Sequence, residues 1–232
     1  RPDFLSVTYG AGGKDRSSAR EVVAELARNA PVHPIAHITC VGNSTVDVLD
    51  AVADALDSGT RTFLALRGDP PADDPDWEPE AGGVRSAIEL IHLIRTVEKR
   101  RCDYHPAEAL RAAFAPLTIA VAAFAAGNPA AGTSPLQEAE RLLLKQAAGA
   151  NFAITQLFWE ADTYLSFVER CRRLGVTIPI VPGILPPTEL ARLRRVTELS
   201  GIEVPAHIID TLSGAQDPES RHELGVGLAA SL

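Results

Sequence analysis

The sequence predicts an α/β protein built on a parallel sheet, and three observations carry that expectation. Short apolar, β-rich runs alternate six times with stretches of helical period. The third run, Phe63-Leu64-Ala65-Leu66, is apolar on both faces, as a strand covered by helices on each side must be. It then stops abruptly at Arg67-Gly68-Asp69-Pro70-Pro71, and other runs also end in polar or glycine-rich junctions, the strand ends where such folds bind ligands. Right-handed crossovers follow from the alternation, in either a barrel or an open doubly wound sheet. With 232 residues, 46% of them hydrophobic and 22% charged, the chain has the size of one domain, residues 1–232.

Phe4 to Tyr9 is the first strand, ending at Gly10-Ala11-Gly12-Gly13, after which Ser17 and Ser18 cap an alanine-rich helix to Ala27. His33 to Cys40 is the second. The helix from Thr45 to Leu56 carries Val46, Leu49, Val52 and Leu56 at spacings of three and four. After the third strand, residues 69–83 form a long acidic loop containing Trp77. A helix over Val84 to Arg100 turns Ile88, Ile91, Leu93 and Ile94 inward, and Arg101 to Ala115 reads as an inserted helical turn. Leu117 to Phe124 is the fourth strand, and Thr133 or Ser134 caps a helix to Ala148. Phe152 to Phe158 is the fifth strand, Ala161 to Leu174 a helix, and Ile178 to Val181 the sixth strand, stopped by Pro182-Gly183. Leu190 to Val196, Ala206 to Leu212 and a segment near Ser220 are helical.

Composition excludes several function classes. A formal net charge of −8 disfavours nucleic acid and anionic membranes as partners. The longest apolar run, Ala113 to Ala126, is too short to span a bilayer and contains Pro116. Cys40, Cys102 and Cys171 are odd in number and far apart, so neither a disulfide framework nor a zinc knuckle is expected, and a reducing cytoplasm is the default. The chain opens directly into a strand, so no signal peptide is expected. Six histidines show no ligand spacing, so no metal is expected. The absence of methionine is what a fragment, a trimmed chain or a chain with modified methionines left out would show. Gly10 to Gly13 lacks the third glycine of a dinucleotide fingerprint, and Gly13-Lys14-Asp15 is not a P-loop.

Laid on a barrel, the strand ends gather Thr8, His37, Thr39, Arg67, Asp69, Phe124 and Gln156 at one mouth, a set suited to a polar heterocycle or a phosphate ligand. Each has a plainer reading. Arg67 and Asp69 could pair with one another merely to finish the strand, and His37 could be a core histidine bonded to a carbonyl. Gln156, among apolar neighbours, needs hydrogen-bond partners.

Five blocks, Ser6 to Gly13, Ala36 to Gly42, Leu64 to Pro71, Gly149 to Gln156 and Pro182 to Pro186, closely resemble the methylenetetrahydrofolate reductase family, in the family's order. The resemblance implies a (β/α)8 TIM barrel whose first and last strands lie before Arg1 and after Leu232. It also implies reduction of 5,10-methylenetetrahydrofolate to 5-methyltetrahydrofolate by NAD(P)H, with hydride relayed through FAD. Asp69 and Gln156 would be the catalytic pair, the first tuning the flavin and stabilising a cationic iminium, the second bonding the pterin. Thr8, Ala11, His37, Leu66, Arg67, Gly68, Asp69, Phe124 and Ile154 would line the flavin, with Lys145 toward its phosphates. The partners implied are the folate and NAD(P)H, and a homo-oligomer is left open.

The family's acidic Glu-Phe-Phe-Pro-Pro strand and its His-Phe-Tyr-Thr-Leu-Asn strand are expected outside residues 1–232. Within the chain, Asn128 replaces a flavin-contacting His and Ser86 a Tyr. Glu138, Arg141 and Leu144 stand where the family places Asp, Asn and Arg toward the ribityl and diphosphate. Two other readings accompany the first: direct hydride transfer from NAD(P)H without flavin, and an inactive folate-binding barrel acting as a sensor or partner subunit.

Overall fold

The computed structural model describes residues 2–8, 16–68, 78–79 and 82–232. The strands are β1 (Phe4–Val7), β2 (His33–Thr39), β3 (Thr62–Leu66), β4 (Thr118–Ala123), β5 (Phe152–Leu157) and β6 (Ile180–Gly183), and they follow chain order across one sheet. The α-helices among the described residues are α1 (Arg16–Asn29), α2 (Thr45–Asp57), α3 (Ala87–Tyr104), α4 (Pro106–Phe114), α5 (Pro135–Ala147), α6 (Ala161–Arg173), α7 (Leu190–Ser200), α8 (Ala206–Ser213) and α9 (Pro218–Ala230). The chain divides into two compact units, residues 1–122 with 144–153, and residues 123–143 with 154–232.

In the first unit β1, β2, β3 and β4 pair in parallel, with Val7 opposite Ala36, Thr39 opposite Leu66 and Phe63 opposite Ile119. Phe63, Ala65, Ile119 and Val121 are fully buried, as expected for strands apolar on both faces. Against them α3 turns Leu90, Ile91, Ile94 and Val97. This stripe differs from the expected one, since Ile88 and Leu93 are only half-buried. The helix starts at Ala87 because the Ser86 side chain accepts from the Glu89 N–H, so Val84 is buried ahead of the helix. Residues 101–115 likewise make more than one turn: Arg101 to Tyr104 finish α3, and Pro106, which fits a first helical position, opens α4.

Ser44 caps α2 through a reciprocal box with Asp47. The inward positions of α2 are Val48, Ala51, Val52 and Leu56, and Val46, expected inside, is 63% exposed. Helix α1 begins at Arg16, so Ser17 and Ser18 fall inside it rather than before it. At the amino ends of the strands Arg95 donates to the carbonyls of Leu117 and Gly149, each at 2.9 Å, and to Asn151 Oδ1 at 2.6 Å. Glu98 accepts from Arg95, Arg61 and the Leu117 N–H. This network satisfies backbone groups that the ladders leave open.

In the second unit Trp159, Leu193, Ile208 and Leu212 form a buried core joining the strand-end segment after β5 to α7 and α8. Ser134 rather than Thr133 caps α5, bonding reciprocally with Gln137. Pro182 and Gly183 lie within β6 instead of stopping it.

Candidate active site

In the first unit the carboxyl ends of β2 and β3 are stapled together. The Cys40 N–H donates to the carbonyls of Leu66 and Arg67 at 3.2 and 3.1 Å, and the Val41 N–H to that of Arg67 at 3.0 Å. Asn43 closes the turn after β2, its Nδ2 donating to the Thr39 carbonyl at 2.9 Å. Gly68 then stands at φ +84°, and a Cβ there would sit 3.2 Å from Val41 and 3.4 Å from Thr39. Both the backbone angle and the close approach require glycine. Leu66 is half-buried and Arg67 exposed at this rim. Asp69 follows directly but, like Ala11, lies outside the described residues.

His37 stands on β2 with its Nε2 2.5 Å from Ser6 Oγ on β1. Thr8, exposed just past β1, continues the same register beside it. Burial lowers the His37 pKa from its ordinary 6.5. The folded protein therefore holds a neutral imidazole, while the unfolded chain takes up a proton as pH falls through 6.5. Stability is expected to decline below that pH, down to the native pKa, and His37→Gln to flatten this part of the profile. Urea midpoints from about pH 8 to about pH 5 check it. Nearby, the Cys40 thiol is pushed up to about 12, first by burial and then by Glu89, against the opposing Arg67. Such a thiol is no nucleophile. Lys145, in the last turn of α5, donates from Nζ to the Ala122 carbonyl of β4 at 2.8 Å.

In the second unit Phe124 is half-buried just past β4. Ile154 and Gln156 share one face of β5, while Thr155 is buried on the other. Gln156 Oε1 accepts from the Leu157 N–H at 2.9 Å, which commits the carbonyl to the chain and leaves Nε2 as the donor for a ligand. Thr155 Oγ1 accepts from the Gly183 N–H at 2.8 Å. Asn128 Oδ1 accepts from the Ala131 N–H, and its backbone bonds twice with Thr133. Glu138 is 2% exposed and accepts from Thr133 Oγ1 at 2.5 Å and Arg141 Nη1 at 2.9 Å.

The structure thus brings together Thr8, Ser6 and His37, and separately Thr39, Leu66, Arg67 and Gly68, in one unit. It places Phe124, Ile154 and Gln156 in the other. Sequence reasoning missed Ser6, Asn43, Gly183 and the buried state of Glu138. Only Ser6 had a usable signal, lying two residues before Thr8 on the same strand face. A cavity of about 660 Å³ lies behind the strands, between α1, α2, β1 and β2, and among the described candidate residues only His37 lines it. Among the described residues no cluster could hold a metal ion, and no helix is long and apolar enough to cross a membrane.

Comparison with known proteins bears on this arrangement. The family model described as methylenetetrahydrofolate reductase matches residues 1–232. A probable methylenetetrahydrofolate reductase (NADPH) of Caenorhabditis elegans is 35% identical over 90% of this chain and 29% of its own length. A probable methylenetetrahydrofolate reductase (NADH) of Oryza sativa is 33% identical over 94% of this chain and 36% of its own length. The 5,10-methylenetetrahydrofolate reductase of Pectobacterium carotovorum is 30% identical over 100% of this chain and 70% of its own length. The chain therefore spans about a third of these eukaryotic relatives. In fold it resembles an uncharacterized Clostridium thermocellum protein that binds two copies of 5-methyl-5,6,7,8-tetrahydrofolic acid, with a TM-score of 0.57 at 12% identity, over 98% of this chain and 79% of that one. The match along every residue, including the stapled strand ends, shows that this chain belongs to the methylenetetrahydrofolate reductase family.

Proposed function

We propose that the chain forms the (β/α)8 catalytic domain of a reductase that converts 5,10-methylenetetrahydrofolate to 5-methyltetrahydrofolate with NADH or NADPH. The observation that carries this reading is the family match over the whole chain. The reaction opens the folate's five-membered ring by breaking the bond between N10 and the methylene carbon, with a proton going to N10. The resulting N5 iminium cation accepts a hydride at the methylene carbon, and NAD(P)+ leaves. Asp69, next in the sequence after Gly68, stabilises the cation, and Gln156 donates from Nε2 to the pterin. Neutral His37, held by Ser6, adds no positive charge beside that cation.

FAD, which the family resemblance implies, would supply a ring position that takes hydride from the nicotinamide and gives it to the folate. The polar strand ends around Gly68 and His37 suit its ring. On α5, exposed Leu144 offers no charge where the resemblance implies an Arg toward its diphosphate. To test the reading, NAD(P)H oxidation by the purified protein is followed with FAD added, in the presence and absence of methylenetetrahydrofolate. Folate-dependent oxidation is expected, and oxidation indifferent to the folate would refute the reading.

A further inference from the structure

We propose that Ser6 is a positioning residue that donates its hydroxyl proton to His37 Nε2 and so holds the imidazole as the tautomer with its proton on Nδ1, ready to donate to an acceptor atom of a flavin ring. The identity of the ligand rests on the reductase reading, whereas the tautomer rests on the strands themselves. A neutral imidazole has one N–H and one bare nitrogen, and the bond made by one nitrogen decides which of them carries the proton. Ser6 Oγ stands 2.5 Å from Nε2. A hydroxyl can donate or accept in such a bond, but a basic imidazole nitrogen is a much stronger acceptor than a hydroxyl oxygen. The pair therefore settles as O–H···N, at the short end of the range for hydroxyl donors. With Nε2 accepting, the proton lies on Nδ1.

Among the described residues no other group competes for the ring. Ser6 is paired with Ile35, two residues before His37 on the same face of the sheet, and on β3 the residue opposite His37 is Leu64, which is apolar and buried. Burial is what lowers the His37 pKa, with no charged neighbour contributing, so no carboxylate draws the proton to Nε2. The unpaired side-chain atoms that are sealed from solvent, among the described residues, are Arg101 Nε, Trp159 Nε1 and Arg170 Nε. His37 Nδ1 is not one of them, and it has no hydrogen-bond partner among those residues, so its N–H is open to a ligand. A neutral donor at this place selects for a ring carbonyl or a bare ring nitrogen and against a ring N–H, which would meet it donor to donor. Ser6 is exposed on β1, so replacing it removes the hydroxyl without opening a cavity in the core.

NMR of isotopically labelled histidine ring nitrogens in the flavin-free protein at neutral pH tests the tautomer, with His37→Gln assigning the His37 signals. In wild-type protein Nδ1 is expected at the position of a protonated ring nitrogen and Nε2 at that of a bare one. In Ser6→Ala both are expected to move to intermediate positions as the two tautomers exchange, and Ser6→Thr, which keeps the hydroxyl, is expected to restore the wild-type pattern. A wild-type imidazole with its proton on Nε2 would overturn the proposal, as would a Ser6→Ala pattern identical to wild type. Addition of FAD is expected to shift the wild-type Nδ1 resonance. Ser6→Ala is expected to weaken FAD binding about three- to tenfold, the size of one neutral hydrogen bond, with recovery in Ser6→Thr. An Nδ1 resonance indifferent to FAD would remove its partner and overturn the proposal. Formation of the methyl product by protein whose His37 carries its proton on Nε2 would refute this proposal and leave the reductase reading standing. The expected tautomer and FAD response without folate turnover would do the reverse.

Discussion

Asp69→Asn is expected to lower kcat/KM for methylenetetrahydrofolate reduction about a hundred- to a thousandfold, the usual effect of removing one pre-organised electrostatic group from a reacting centre. The amide keeps the size and much of the hydrogen-bonding capacity of the carboxylate, so the loss isolates the charge. That charge matters most when the ring has opened and N5 is cationic, which places the effect in kcat more than in KM. Up to Gly68, the residue before the aspartate, β3 is locked to β2 through Cys40 and Val41, and Gly68 itself stands at φ +84°. Steady-state kinetics of the variant, with circular dichroism to confirm folding, check the result. A loss smaller than about tenfold would remove Asp69 from the chemistry.

Gly183→Ala is expected to destabilise the protein by about 3 to 5 kcal/mol, combining backbone overpacking with the loss of a part-buried hydrogen bond. A Cβ at this position would lie 2.2 Å from the Thr155 carbonyl oxygen and 3.2 Å from its carbon, both backbone atoms that cannot rotate away. Relief requires the ends of β5 and β6 to part. That in turn strains the bond from the Gly183 N–H to Thr155 Oγ1 and moves the segment carrying Gln156. Against a total stability of about 5 to 15 kcal/mol, the variant should unfold at a much lower urea midpoint or be recovered insoluble. Gly227→Ala provides the contrast, because it lies in α9 with no atom within 4 Å of the added carbon. It is expected to stabilise by about 0.5 to 1 kcal/mol through helix propensity.

Strand order and burial were legible because they follow from local pattern. The Phe63 to Leu66 run reads as buried on both faces from its composition, and Phe63 to Ala65 pack that way, with Leu66 half-buried at the strand end. Helix starts were harder, since a Ser or Thr can cap, pack inside or bond a neighbour. Ser44 and Ser134 cap, whereas Ser17 and Ser18 fall within the span of α1. Pro182-Gly183 looked like a strand stop because those residues usually punctuate. Here the glycine serves instead to let two backbones approach, a tertiary fact that no local window contains.

The candidate site shows the same division. The polar strand ends His37, Arg67 and Gln156 stood out against apolar neighbours. The contacts that hold them do not, because Ser6 is 31 residues from His37 and Cys40 is 26 from Leu66. Glu138 was legible as a departure from the family pattern. Its burial against Thr133 and Arg141 was not, because an acidic residue early in a helix ordinarily faces water.

Product analysis tests the central claim most directly. Purified protein supplied with NAD(P)H, FAD and methylenetetrahydrofolate is predicted to yield 5-methyltetrahydrofolate, identified by mass spectrometry, in equal amount to the NAD(P)H consumed. Folded protein that consumes NAD(P)H without forming the methyl product, or that leaves both substrates intact, would contradict the account.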